Sequence, residues 1–274
     1  MALISMHNVS WGLGGAPLLD KVNLQIEKGE KICLLGRNGV GKSSLIKILN
    51  GDLLPDSGDI GRQQGVTTAT LEQEVTLYDQ GTLFEVVADG MGEAGRALIK
   101  LRRRSSQMPS ADTPAHVIES ETLQNHPGSA DTWTLGPRIE DLLSRAGLDP
   151  GLFFTRLSAG MKRRALLCRA LVRQPDLLLL DEPTNHMDIE TIIWMEEYLD
   201  RHVQTLLFVS HDRAFTRRMA SRILELDRGG LSSYACDYPT YLKRKEEAKA
   251  LADSGLKLMC VTPLAGIDGH AGQR

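Results

Sequence analysis

Two groups of residues far apart in the chain carry the types and spacing that could do chemistry. The first is Gly36-Arg37-Asn38-Gly39-Val40-Gly41-Lys42-Ser43, which fits the spacing G-x-x-x-x-G-K-[ST] without a mismatch. Glycines at 36, 39 and 41 let backbone N–H groups turn inward around a polyphosphate, and the start of a following helix adds favourable partial charge. Lys42 has the reach for β- and γ-phosphate oxygens, and the Ser43 hydroxyl is a Mg²⁺ ligand. The second group follows Leu177-Leu178-Leu179-Leu180, an apolar run that ends in Asp181 and Glu182. This pattern reads as a buried strand that delivers two acids to a phosphate site, Asp181 to Mg²⁺ and Glu182 to an attacking water as base or orienting group.

Three single residues become informative only beside these groups. Thr205-Leu206-Leu207-Phe208-Val209 reads as a strand leading into Ser210-His211-Asp212. A histidine at such a strand end is either a structural residue or a contact to the γ-phosphate and the base. Gln73 ends the alternating segment Gly65 to Gln73, which could carry its side-chain amide to the metal and water. Trp11 is either a core aromatic or a platform for adenine. The two large groups together predict binding of ATP with Mg²⁺, and its hydrolysis.

The elements that must position these residues are also legible. Lys31 to Leu35 reads as a short buried strand before the glycine-rich turn, and Ser44 to Asn50 has helical spacing with Gly51 as its stop. Thr82-Leu83-Phe84-Glu85 fits a capping box that starts a helix through about Ala88. Arg138 to Ala146 is amphipathic and ends near Gly147. Between about 92 and 137, helices are expected to flank turns at Ser105 to Ser110 and at His126 to Ser129.

Taken in chain order, these residues resemble the ATP-binding cassette (ABC) family. The matching motifs are a Walker A at 36–43, a Q-loop at Gln73, a signature at Leu157-Ser158-Ala159-Gly160-Met161, a Walker B at 177–182, a D-loop at 185–188 and a switch histidine at 211. Asp181-Glu182-Pro183-Thr184-Asn185-His186-Met187-Asp188 is similar to the ABC-F branch rather than to transporter cassettes. Pro17-Leu18-Leu19-Asp20, Lys47-Ile48-Leu49-Asn50-Gly51, Asp188-Ile189-Glu190-Thr191-Ile192 and Leu226-Asp227-Arg228-Gly229 resemble the first cassette of bacterial Uup-type members. The resemblance covers about residues 1–250.

It implies an α/β fold: a P-loop ABC nucleotide-binding domain with an antiparallel β layer from residues 1–30 and 58–70 and an inserted helical subdomain at about 75–173. The cassette would span 1–240, with a linker helix beginning over 241–253. ATP and Mg²⁺ would sit on Gly36 to Ser44, Trp11 and Asp181, with Gln73 at the metal. Ser158 and Gly160 would face the nucleotide of another cassette, because an ABC site is composite. Glu182 and His211 would set up water attack. The family is cytoplasmic, hydrolyses ATP and associates with ribosomes, with DNA binding also attributed to Uup-type members.

Two departures bear on activity. Ala159 stands where the family signature has its first glycine, and a Cβ at that approach is expected to weaken closure. The chain also has one P-loop and one signature, so a second cassette is needed, from another copy or from a missing C-terminal half. A charged linker begins at Tyr241 to Ala250 and gives way near Ser254 to a tail with few charges, expected to be disordered. This pattern predicts a truncation; a single-cassette protein with a flexible tail is the alternative. Rival functions are the ATPase subunit of a membrane transporter and a non-catalytic ATP-binding fragment.

The composition fits these expectations. A 42% hydrophobic content over 274 residues supports a full core in one or two domains, and a net charge of −3 argues against a nucleic-acid footprint over the whole surface. Basic residues do cluster at Lys100-Leu101-Arg102-Arg103-Arg104 and Lys162-Arg163-Arg164. The first cluster is either part of an arm near the ribosome or a solvated helix face. Cys33, Cys168, Cys236 and Cys260 share no metal-ligand spacing, and the apolar surroundings of the first two predict buried reduced thiols. No apolar run reaches the roughly 18 residues of a membrane helix, so no membrane insertion is expected.

Overall fold

The computed structural model describes residues 2–71, 81–107, 129–185 and 187–253. Two sheets and a set of helices enclose two buried cores. Strands β1 (Ala2–Trp11), β2 (Leu19–Glu27) and β4 (Ser57–Arg62) form an antiparallel layer in the order β2-β1-β4. The main sheet has the order β5-β6-β7-β3-β8-β9, made from β5 (Thr68–Thr70), β6 (Leu177–Asp181), β7 (Leu206–Val209), β3 (Lys31–Leu35), β8 (Arg222–Asp227) and β9 (Gly230–Tyr234). Its pairs are parallel except β8 with β9.

The unbroken apolar runs of the central strands follow from burial on both faces. Leu177 and Leu179 of β6 pack with Ile32, Leu34 and the antiparallel layer, around helix α1 (Lys42–Asn50). Leu178 and Leu180 point to the opposite side, where they pack with Cys33, Phe208 and the helices of the insertion. Period-two alternation therefore feeds two cores, and neither strand face is left for water.

The insertion contains α2 (Leu83–Asp89), α3 (Glu93–Gln107) and α4 (Ser129–Arg145), followed by a short 3-10 turn (Phe154–Arg156) and α5 (Ala159–Leu171). The Thr82 hydroxyl accepts from the Glu85 N–H while the Glu85 carboxylate accepts from the Thr82 N–H, closing the expected capping box. Helix α6 (Ile189–His202) follows the acids of β6, α7 (Arg213–Met219) follows β7, and α8 (Tyr238–Asp253) ends the described chain.

Three sequence expectations change. Residues 68–70 lie outside the antiparallel layer: they pair in parallel with Leu177 to Leu179 of the main sheet. A turn at Gln63–Val66 redirects the chain, and Thr67 then ties it to Asp176, whose Oδ2 accepts from both the Thr67 N–H and hydroxyl. Helix α3 runs on through Ser105 to Gln107 and α4 begins at Ser129, positions where turns were expected, while the rest of those expected turns, 108–110 and 126–128, lies outside the described residues. Finally, much of the first basic cluster serves the fold. Arg102 lies 3.9 Å over the Phe84 ring and bonds Glu140, and Arg103 pairs with Glu85.

Candidate functional site

The strand order creates the site. β3, β6 and β7 are neighbours and run in parallel, so the loops after their C-terminal ends open on one edge of the sheet, where α/β sheets hold ligands. Those loops carry the glycine-rich turn, Glu182 and His211, and Asp181 is the last residue of β6. Asp181 pairs with Val209 in register, which places Glu182 beside Ser210 and His211.

The glycine-rich turn has the conformation that its composition predicts. Gly39 and Gly41 have φ values of 79° and 109°, and Gly41 is the N-cap of α1 with no side chain capping the helix. The exposed N–H groups of that helix start favour an anion. Lys42 is only 8% exposed and folds back over the turn, its Nζ donating to Gly36 O at 2.8 Å and Arg37 O at 3.0 Å. A β-carbon on Gly36 would lie 2.6 Å from the Leu226 carbonyl oxygen, so this turn sits directly on β8.

A cavity of about 360 Å³ opens over the turn, lined by Asn38, Gly39, Gly41, Lys42, Ser43, Ser44, Asp181, Glu182 and Leu18. The first eight are residues singled out by the motifs. Leu18 belongs only to a string that carries the resemblance, with no role at the site expected of it: it precedes β2, and a β-carbon on Gly41 would meet its Cβ at 3.2 Å. A leucine beside Pro17 and Leu19 gives no chemical signal of such a position.

Glu182 has φ 48°, a conformation that stores strain in a non-glycine residue, and its N–H donates to Val209 O at 3.0 Å. Its Oε2 accepts from the His211 N–H at 3.3 Å, and Oε1 lies 3.2 Å from His211 Nε2. The same imidazole nitrogen is 3.2 Å from Asn38 Oδ1 on the glycine-rich turn. Three loops are thereby tied together by side chains. Behind them, Ser210 and Thr184 are buried with their hydroxyls 3.4 Å apart, and Cys33 is a buried thiol pushed up to about 12, chiefly by desolvation.

Other sequence candidates lie elsewhere. Trp11 is 9% exposed, packs in the core with Leu19 and Val22, and does not line the cavity. Gln73 and His186 lie outside the described residues. Ser158 caps α5, accepting from the Met161 N–H at 3.3 Å, but Ser158 and Gly160 do not line this cavity either. Gly160 instead packs against the next segment, where a β-carbon on it would lie 2.7 Å from Thr191 Oγ1 and 2.8 Å from Asp188 Oδ2.

Among the described residues no group of three His, Cys, Asp or Glu side chains could hold a metal ion. Mg²⁺ needs no such group, because it keeps waters and phosphate oxygens beside one or two protein ligands. Ser43 and Asp181 share the cavity and are the residues there that could hold such an ion.

The sequence model described as ABC transporter matches residues 19–185. The chain belongs to the ABC transporter family. This ABC cassette is 43% identical over 247 residues to the "ATP-binding protein Uup" of Haemophilus influenzae, covering 90% of the cassette chain and 38% of that protein. It is 37% identical over 250 residues to the "Energy-dependent translational throttle protein EttA" of Mycobacterium tuberculosis, covering 91% of this chain and 45% of that one. The cassette chain thus spans less than half the length of these relatives. Among solved structures, an ATP-binding subunit of an ABC transporter superposes with TM-score 0.65 at 20% identity, over 93% of this chain and 100% of that one. A nucleotide-free cassette from an ABC transporter gives 0.64 at 16% identity, over 93% and 97%. These two likenesses show the ABC fold.

Proposed function

We propose that this cassette binds ATP with Mg²⁺ on residues 36–44 and hydrolyses it as an ABC-F-type clamp, closing with a second cassette on a ribosome or nucleic-acid complex. The observation that carries the reading is the meeting of the glycine-rich turn, Asp181, Glu182 and His211 at one sheet edge. Lys42 and the α1 N-terminus hold phosphate charge, and Ser43 and Asp181 hold the metal. Bound Mg²⁺ supplies neutralisation of that charge. Glu182 orients or deprotonates water, and His211 holds the Glu182 carboxylate in place and reaches towards the terminal phosphate. Trp11 and Gln73 are assigned adenine and metal contacts by resemblance alone.

The composite site is part of the proposal. Ser158 and Gly160 lie outside the P-loop cavity, which supports their serving the nucleotide of a second cassette. The cassette then ends near residue 240, and α8 begins a linker. The translational throttle relative supports a translating complex as the partner and a cytoplasmic location. No helix among the described residues is long and apolar enough to cross a membrane.

The test is sedimentation of the Glu182→Gln protein with and without ATP and Mg²⁺, beside phosphate release from the parent. Turnover in the parent with an ATP-dependent dimer of the variant supports two copies rebuilding the composite site. ATP binding without turnover or association favours the second reading, a cassette inactive by itself. Co-sedimentation of the trapped variant with ribosomes, but not with naked DNA, would identify the partner class.

A further inference from the structure

A second cavity, of about 410 Å³, lies at the opposite end of the sheet from the proposed ATP site. Its walls include Lys28 before β3, Asp176 before β6 and Gln204 before β7, so it opens at the N-terminal ends of the strands. The remaining wall comes from α4 of the insertion, with Arg138, and from the last turn of α6, with Tyr198 and His202. It therefore bridges the helical insertion and the core. Its volume lies in the range of small-molecule sites.

The charges around it are unbalanced. Three cations, Lys28, Arg138 and Arg145, face two carboxylates, Asp141 and Asp176. Both acids are engaged: Asp141 Oδ2 accepts from Arg145 Nε at 2.8 Å, and Asp176 Oδ2 accepts twice from Thr67. Lys28 and Arg138 have no carboxylate partner among the described residues. Arg138 is half-buried, its Nη2 has no hydrogen-bond acceptor among the described residues, and burial pushes its guanidinium below the ordinary arginine value. A half-buried guanidinium without a counter-charge is costly, and an anion in the cavity would lower that cost through the Arg138 atoms that face it.

The cavity also has uncharged donors and an apolar side. Gln174, held at φ 51°, and Gln204 bring amides, while Leu142, Leu171 and Val203 offer apolar surface. We propose that this cavity binds a small phosphorylated molecule, its phosphate taken by Arg138 and Lys28 and its organic part lying against Leu142, Leu171 and the Tyr198 ring. Guanidinium and ammonium together match a dianionic phosphate better than a monovalent carboxylate. A ligand there would join the insertion to the core at a point remote from the glycine-rich turn.

The test is titration calorimetry with inorganic phosphate, inorganic pyrophosphate and ribose 5-phosphate on the full chain and on Lys42→Ala, which weakens the P-loop as a competing phosphate site. The expected result is binding retained in Lys42→Ala and weakened about tenfold or more when either Arg138→Gln or Lys28→Gln is added. Lys28 is exposed on the β2–β3 turn, so its variant keeps the test decisive should Arg138→Gln fold poorly. Binding lost with Lys42→Ala, absent throughout, or indifferent to both cavity variants overturns the site. Ribose 5-phosphate binding no tighter than inorganic phosphate overturns the organic part of the proposal.

Discussion

His211 and Glu182 are held together twice, by the His211 N–H on Glu182 Oε2 at 3.3 Å and by Nε2 at 3.2 Å from Oε1. Both the position and the direction of the carboxylate thus depend on the loop after β7. His211→Ala is expected to lower turnover about a hundredfold, within the usual range for a group that supports acid–base chemistry, while ATP affinity stays within several-fold. Phosphate release and a fluorescent-nucleotide titration check this. Equal turnover in the variant would remove His211 from the mechanism.

Gly160 is expected to be intolerant for a reason inside the chain. Its β-carbon position lies within 3 Å of Thr191 Oγ1 and Asp188 Oδ2, the N-cap contact of α6. Gly160→Ala should cost about 1–3 kcal/mol in urea unfolding, as overpacking does. Ala159 is exposed at the start of α5, so Ala159→Gly should change stability by less than about 1 kcal/mol. If Ala159→Gly raises turnover, its Cβ hinders closure with a second cassette.

The Gly36 position is closed to any side chain, because the neighbouring atom at 2.6 Å is the Leu226 backbone oxygen. Gly36→Ala must displace either β8 or the glycine-rich turn. Nucleotide binding should fall by about tenfold or more, with about 1–3 kcal/mol lost from stability. Calorimetric titration with ATP and a melting curve separate the two effects.

Stability should depend on pH through Glu85. The hydrogen bond from Arg103 holds the Glu85 carboxyl below the ordinary glutamate value, partly opposed by burial. A folded value below the unfolded one means that the stabilisation is complete above the ordinary value and drains away as pH falls through the folded value. Glu85→Gln should therefore cost about 1 kcal/mol near neutrality, a modest figure because Arg103 is largely exposed. The gap to the parent should close in acid, as unfolding curves between neutrality and pH about 3 would reveal.

Thiol labelling gives an independent check on the core. Desolvation pushes both Cys33 and Cys168 up to about 12, so neither supplies appreciable thiolate near pH 8. Cys236 is only partly buried and should label in the native protein, whereas Cys33 and Cys168 should label only after denaturation. Rapid native labelling of Cys33 would mean that the strand beneath the glycine-rich turn opens.

Contiguous residues determined much of this molecule. The turn at 36–43 is encoded by its glycines and lysine in one stretch, the run 177–182 announces a strand buried on both faces, and Thr82 with Glu85 marks a helix start four residues long. In each case neighbours in sequence are neighbours in space, so backbone sterics, side-chain period and local hydrogen bonding suffice. The family resemblance rested on the order of such local strings.

Tertiary structure alone decided how they meet. Nothing in the strings 36–43, 181–182 and 210–212 says that β7 lies between β6 and β3, yet that order brings Asn38, Glu182 and His211 into contact. Leu18 reached the cavity through the return of β1 into β2, and Gly160 found Asp188 because α5 packs on α6. Residues 68–70 left the antiparallel layer because Asp176, more than a hundred positions later, captured Thr67. Each of these contacts depends on how the whole sheet closes over its two cores, a cooperative outcome of packing that no window of neighbouring residues contains.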